Sequence, residues 1–158
     1  MDTQLATFGA GCFWGVEAAF REVKEIVATT VGYSGGSFEN PTYKDVCSGN
    51  TGHAEVVQIE FASSRVSYGK LLETFWGCHD ATQLNRQGPD VGSQYRSAIF
   101  FHTPEQESAA KESKTERQRV LGSKPIVTEI TPASTFYVAE DYHQQYLEKR
   151  GLATCRIG

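Results

Sequence analysis

The sequence predicts a single α/β domain, a two-layer arrangement of sheet and helices. Three observations carry this expectation. The chain has 158 residues, the size of one ordinary domain. Apolar residues make up 39% and charged residues 22%, the composition of a globular chain rather than a disordered or membrane one. Short β-branched runs alternate with stretches whose apolar residues recur at helical spacing. A chain of this length buries roughly 70% of the surface it exposes when unfolded, so a core needs no staples.

The elements follow in order. Thr3 to Phe8 alternates and reads as a strand, broken by Gly9-Ala10-Gly11. Phe13, Val16, Phe20 and Val23 then recur at helical spacing, so a helix opens near Cys12. Glu25 to Tyr33 is rich in β-branched residues and predicts a second strand. Ser34 to Gly52 holds four glycines and Asn40-Pro41, and reads as a long ordered loop. His53 to Phe61 alternates as a third strand, with Glu55, Val57, Ile59 and Phe61 on one face. Ser67 caps a helix whose apolar stripe is Tyr68, Leu71, Leu72, Phe75 and Trp76. Asp80 to Gly92 is a second long loop, and Tyr95 to His102 a fourth strand. Thr103-Pro104-Glu105-Gln106 has the form of a capping box with proline at the first helical position, opening a polar helix to about Leu121. Ile126 to Ile130 predicts a short strand, and Ala139 to Arg150 a last helix stopped by Gly151. The first four strands and two helices run β-α-β-β-α-β. That is the order of a ferredoxin-like core, with a helix, a short strand and a helical C-terminal tail added.

Charge and cysteine usage narrow the function. Fifteen basic and nineteen acidic residues leave a formal charge of −4, which argues against nucleic acid as a partner. No run approaches the ~18 apolar residues of a membrane span, and the N-terminus has no basic n-region of a secretory signal. The four cysteines, at 12, 47, 78 and 155, form neither a disulfide framework nor a finger or ribbon spacing. A cytoplasmic protein is expected, with its thiols either buried and inert or used in redox chemistry.

Cys12 is the sharpest local signal. It follows a glycine turn and stands at a helix start, where free N–H groups and the helix dipole favour a thiolate. Trp14 lies off the apolar stripe that Phe13 joins, so it reads either as a wall of an apolar pocket or as a partly exposed tryptophan. Glu55 is a carboxyl on the apolar face of a strand. Burial there would raise its hold on a proton and suit it to general-acid work, the alternative being a strand end turned to solvent. Tyr43 and Tyr95 flank the long loops as hydrogen-bond donors or packing residues. From the residues alone three classes stay open: a redox enzyme, another thiol enzyme such as a peroxidase or a Cys-His acyl transferase, and a non-enzymatic binding module.

Five blocks resolve the choice by resemblance. GCFWGVEAAF (11–20), GYSGG (32–36), NPTYKDVCSGNTGHAE (40–55), GSQYRSAIF (92–100) and EDYHQQYLEKR (140–150) resemble, in order, the A-type peptide methionine sulfoxide reductases. The resemblance implies one domain of that type over residues 1–158, reducing methionine S-sulfoxide, free or in proteins, in repair of oxidative damage. It implies Cys12 as nucleophile, Phe13 and Trp14 as the holders of the S-methyl group, and Glu55 as acid. It also implies Tyr43 and Tyr95 at the sulfoxide oxygen, Asp90 at the substrate backbone, and Cys155 as the thiol that forms a redox-active disulfide with Cys12. Thioredoxin is then the reductant, and neither metal nor organic cofactor is needed. Cys47 reads as structural. Cys78, where the family pattern has asparagine, reads as inert or as a second recycling thiol.

Overall fold

The computed structural model describes residues 2–151. The sheet has six strands: β1 (Gln4–Ala10), β2 (Ile26–Ser34), β3 (Ala54–Phe61), β6 (Ser97–Phe101), β7 (Glu129–Pro132) and β8 (Tyr137–Val138). They lie in the order β7-β6-β1-β3-β2-β8. Neighbours run antiparallel except β6 and β7, which are parallel. A separate two-stranded ribbon, β4 (Arg86–Gln87) and β5 (Asp90–Val91), stands in the second long loop.

β3 is the central strand. Its Val57, Ile59 and Phe61 face a core formed with α1 (Phe13–Arg21) and α3 (Tyr68–Gly77), while Ala54 and Val56 join a smaller cluster with Ala98, Phe100 and Phe136. The main core is aromatic: Phe8 stacks on Phe20 at 5.2 Å and on Phe75 at 5.1 Å. Each such buried ring contributes about 1.5–3 kcal/mol by burial alone. α3 starts as expected, with Ser67 Oγ accepting the Lys70 N–H. α4 (Pro104–Leu121) also has its expected bounds, but only half of its capping box forms. Thr103 accepts the Gln106 N–H, while the Gln106 side chain accepts from His102 and donates to Leu5 of β1. Among the described residues no helix is long and apolar enough to cross a membrane.

Several elements differ from the sequence reading. β1 runs through Gly9, which pairs with Ala98, and ends only at Gly11, whose φ of 105° breaks the strand. The first long loop contains a five-residue helix, α2 (Tyr43–Cys47), nucleated by a reciprocal Thr42–Asp45 capping box. The fourth strand starts at Ser97, because Ser93–Tyr95 is a 3-10 turn, and the strand expected at 126–130 forms at Glu129–Pro132.

The largest correction concerns the last expected helix, Ala139 to Arg150. It is a 3-10 turn at Asp141–His143, an extended Gln144, a left-handed Gln145 with φ 49°, and a short α5 (Tyr146–Lys149). Tertiary hydrogen bonds override the local preference. The Gln144 amide accepts the Val31 N–H and donates to the Val31 carbonyl, so it pairs with β2 as a strand residue would. Gln145 gives both its backbone and side-chain N–H to Glu17, a fully buried carboxyl that also accepts from Thr29. A straight helix could not supply these bonds. Gly32 lets β8, just before this segment, approach β2: a Cβ there would run into the Tyr137 carbonyl and the Phe136 ring.

Glu17→Ala should take the acceptor from the buried Thr29 hydroxyl and from the backbone and side-chain N–H of Gln145, and cost about 2–4 kcal/mol. Urea unfolding should show a lower midpoint at unchanged slope. A midpoint equal to wild type would mean that the 139–150 segment is held by other contacts.

Candidate active site

The strand registers bring the C-terminal end of β1 and the N-terminal ends of β3 and β6 to one edge of the sheet: Ala10 faces Ser97, and Phe8 faces Val57. Cys12 lies just beyond β1 as the N-cap of α1. Glu55 is the second residue of β3, Tyr95 ends the 3-10 turn before β6, Asp90 opens β5, and Tyr43 opens α2. The structure therefore gathers seven of the eight residues expected from the sequence. The eighth, Cys155, lies outside the described residues.

Glu55 links the first turn of α1, which Cys12 caps, to the sheet. Its Oε1 accepts the Phe13 N–H at 3.1 Å, and its Oε2 is buried with no protein partner. Burial pushes its carboxyl up to about 8, the Phe13 bond works against this, and Asp90 adds to it. Near neutral pH the carboxyl holds a proton, as the sequence reading anticipated.

Cys12 behaves differently from the expectation of a resting thiolate. Burial pushes its thiol up to about 12, and the Glu55 carboxylate adds to the rise. The N–H groups of Trp14 and Gly15 pull it down, while Asp90 again pushes up. Desolvation thus outweighs the helix start. The Glu55 contribution requires that Glu55 be charged, so a proton on Glu55 removes it. The two groups share protons as a coupled pair.

Around this pair stand aromatic walls. Phe13 is buried, and Trp14, half-buried, stacks on Tyr146 at 3.7 Å and donates its indole N–H to His143 Nδ1 at 2.9 Å. That bond assigns the ring proton of neutral His143 to Nε2. His143 also packs on Phe13 and Tyr43. Tyr43 stacks on Phe13 at 6.4 Å, and Tyr33 lies against the same ring at 5.7 Å. Burial first, and nearby Glu55 after it, raise the Tyr95 hydroxyl above its ordinary value. Burial, then Cys47, raise that of Tyr43. Both phenols remain donors.

The sequence reading missed His143, Tyr146, Glu140 and Glu17. All lie in the blocks quoted above, but their partners are up to 129 residues away, and no periodicity signals such contacts. Cys47 is exposed one turn after Tyr43, beside its side chain. Cys78 bonds to the Phe75 carbonyl, and burial pushes its thiol up to about 12. Among the described residues no three His, Cys, Asp or Glu side chains gather as metal ligands.

Comparison with known proteins identifies the arrangement. The family model described as Peptide methionine sulfoxide reductase matches residues 4–158. The chain belongs to the peptide methionine sulfoxide reductase family. It is 62% identical over 154 residues to the peptide methionine sulfoxide reductase MsrA of Methanoculleus marisnigri, covering 97% of this chain and 94% of that one. The MsrA of Geobacter sulfurreducens is 60% identical, at 97% and 95% coverage. The crystal structure of Mxr1 from Saccharomyces cerevisiae in reduced form superposes with a TM-score of 0.91 at 38% identity, covering 98% of this chain and 89% of that one. The same protein in complex with Trx2 gives 0.66 at 27% identity, with 98% and 87% covered. The mixed α/β fold is that of the MsrA structures. As a methionine sulfoxide reductase of this family, the protein reduces methionine S-sulfoxide to methionine.

The proton coupling between Glu55 and Cys12 can be read directly. Above pH 8 Glu55 is an anion that opposes the thiolate, and Glu55→Gln removes that opposition. Alkylation of Cys12 by iodoacetamide, followed on its own peptide by mass spectrometry, should therefore be several-fold faster at pH 9 in Glu55→Gln than in wild type. The difference should shrink below pH 7, where Glu55 carries its proton. Equal rates at pH 9 would show that the carboxyl does not act on the thiol.

Proposed function

We propose that Cys12 is the nucleophile of this reductase and Glu55 its acid. The observation that carries this reading is the buried, proton-holding Glu55 carboxyl. It bonds to the residue after Cys12 and has one oxygen free of protein partners.

In the first step Cys12 Sγ attacks the sulfoxide sulfur while Glu55 gives its proton to the oxygen. The Tyr43 and Tyr95 hydroxyls donate to that oxygen, whose charge grows as the S–O bond weakens. Phe13 and Trp14 enclose the S-methyl group, and Asp90 faces the substrate backbone. The methionine S–O bond then breaks as the hydroxyl passes to Cys12 Sγ and the new Cys12–sulfur bond opens, so methionine leaves, Cys12 becomes a sulfenic acid, and the proton lost by the thiol restores Glu55. The balance is thiol plus sulfoxide giving sulfenic acid plus sulfide. In the second step the Cys155 thiol attacks the sulfenic sulfur, giving a Cys12–Cys155 disulfide and water. Thioredoxin then donates two thiols, becomes a disulfide itself and frees both cysteines. The complex of Mxr1 with Trx2 supports this partner.

Burial of Cys78 supports an inert role for it rather than a recycling one. Among the described residues Cys12, Cys47 and Cys78 form no disulfide with one another, which supports a reducing compartment, the cytoplasm. The order β6-β1-β3-β2, antiparallel throughout and joined β-α-β-β-α-β apart from the short α2 and the β4–β5 ribbon, supports a ferredoxin-like core. The match over residues 4–158 supports a single domain.

Separating chemistry from recycling tests the scheme. Cys12→Ser should form no methionine even with excess dithiothreitol. Cys155→Ser should yield about one methionine per enzyme and then stall with thioredoxin. Normal turnover of Cys155→Ser with thioredoxin would assign recycling to another thiol, and peptide mapping of the oxidised protein would show which one is bonded to Cys12.

A further inference from the structure

Glu140 is the one carboxyl that touches two walls of the site without facing the reacting atoms. Its Oε2 accepts the backbone N–H of Tyr43 at 2.9 Å, and its Oε1 accepts the Tyr33 hydroxyl at 2.8 Å. Both partners lie about a hundred residues earlier in the chain. Tyr33 is fully buried against Phe13, so it is a fixed point. Tyr43 is not fixed by its own helix. α2 has five residues, far below the length at which a helix holds itself together. Its first turn leaves N–H groups that need outside acceptors. The Thr42–Asp45 box satisfies two groups from within. Among the described residues, the acceptor of the Tyr43 N–H is Glu140.

We infer that Glu140 is a positioning residue: it holds the first residue of α2 against the buried Tyr33–Phe13 pair and thereby aims the Tyr43 hydroxyl at the sulfoxide oxygen. The inference rests on the reading that Tyr43 binds that oxygen. Glu140 belongs to the segment that Gln144 and Gln145 pin to β2 and α1, so its own position is set by the sheet. The chain from β2 through Glu140 to Tyr43 is continuous, and each link is a hydrogen bond of 2.7–2.9 Å. A hydroxyl displaced from a developing negative charge loses much of its effect on rate while ground-state binding changes little. Phe13 is also packed on Tyr33 and His143, and Trp14 is held by His143 and Tyr146; these supports of the S-methyl pocket lie outside α2, so KM should stay near wild type while the rate of sulfoxide reduction falls.

A double-mutant cycle tests this. Single-turnover methionine formation is measured in wild type, Glu140→Ala, Tyr43→Phe and the double variant, with KM taken for each under dithiothreitol. Each single change should slow reduction about tenfold or more, with KM within a few-fold of wild type. The double variant should be no slower than Tyr43→Phe alone, because Glu140 acts through the lost hydroxyl. Losses that multiply would overturn the inference, since a general packing role acts independently of that hydroxyl. An unchanged rate in Tyr43→Phe would instead overturn the reading of Tyr43 on which the inference rests. If Glu140→Ala does not fold, Glu140→Asp runs the same cycle, because it keeps the charge and withdraws the oxygens by one methylene.

Discussion

The bond between the Phe13 N–H and the Glu55 carboxyl is the contact around which this molecule is organised. It joins the first turn of α1 to the central strand of the sheet, in a place closed to water. Two consequences follow from one geometry. A helix-start N–H that needs an acceptor receives one, and a carboxyl that burial drives to hold a proton is placed beside the thiol. Desolvation raises both the thiol and the acid. Since the two would repel as anions, the pair prefers to carry a proton between them. A sulfoxide needs a proton on its oxygen as much as it needs a nucleophile on its sulfur, and in the proposed scheme the coupled pair supplies both.

The C-terminal segment completes what the sheet begins. Residues 139–150 add only Ala139 and Leu147 to the buried apolar residues, and attach largely by polar side chains that act in place of backbone. Gln144 extends the sheet edge at Val31, Gln145 fills the hydrogen-bonding capacity of buried Glu17, and Glu140 bridges Tyr33 and Tyr43. Trp14 is then fixed from two sides by His143 and Tyr146. The walls of the site thus come from both ends of the chain. Buried polar bonds specify this arrangement more sharply than apolar contact would, because each unpaired donor carries a penalty that sliding cannot avoid.

The aromatic enclosure also accounts for the unusual state of the thiol. A helix start in water would favour the thiolate, but burial removes the water that would stabilise it. The same exclusion strengthens every hydrogen bond made to the substrate oxygen.

Much of this was legible in the sequence. Periodicity located the main helices and strands, since burial on one face imposes spacing on the chain itself. The glycine turn before Cys12 and the apolar face carrying Glu55 marked these two as candidates, because both are local properties. The resemblance of five blocks then named the remaining site residues. The failures share one cause. EDYHQQYLEKR has the composition of a helix, yet Val31 and Glu17, more than a hundred residues away, take up Gln144 and Gln145 and break it. The helix dipole at Cys12 was visible, but the burial that overrules it was not. By itself the sequence determined the family to which the chain belongs, which residues are the candidates for its chemistry, and which segments regularly bury a face. Only the tertiary structure decided how the last segment folds, what holds Trp14 and Tyr43 in place, and where the protons rest. Those depend on long-range hydrogen bonds and on desolvation, neither of which leaves a period in the chain.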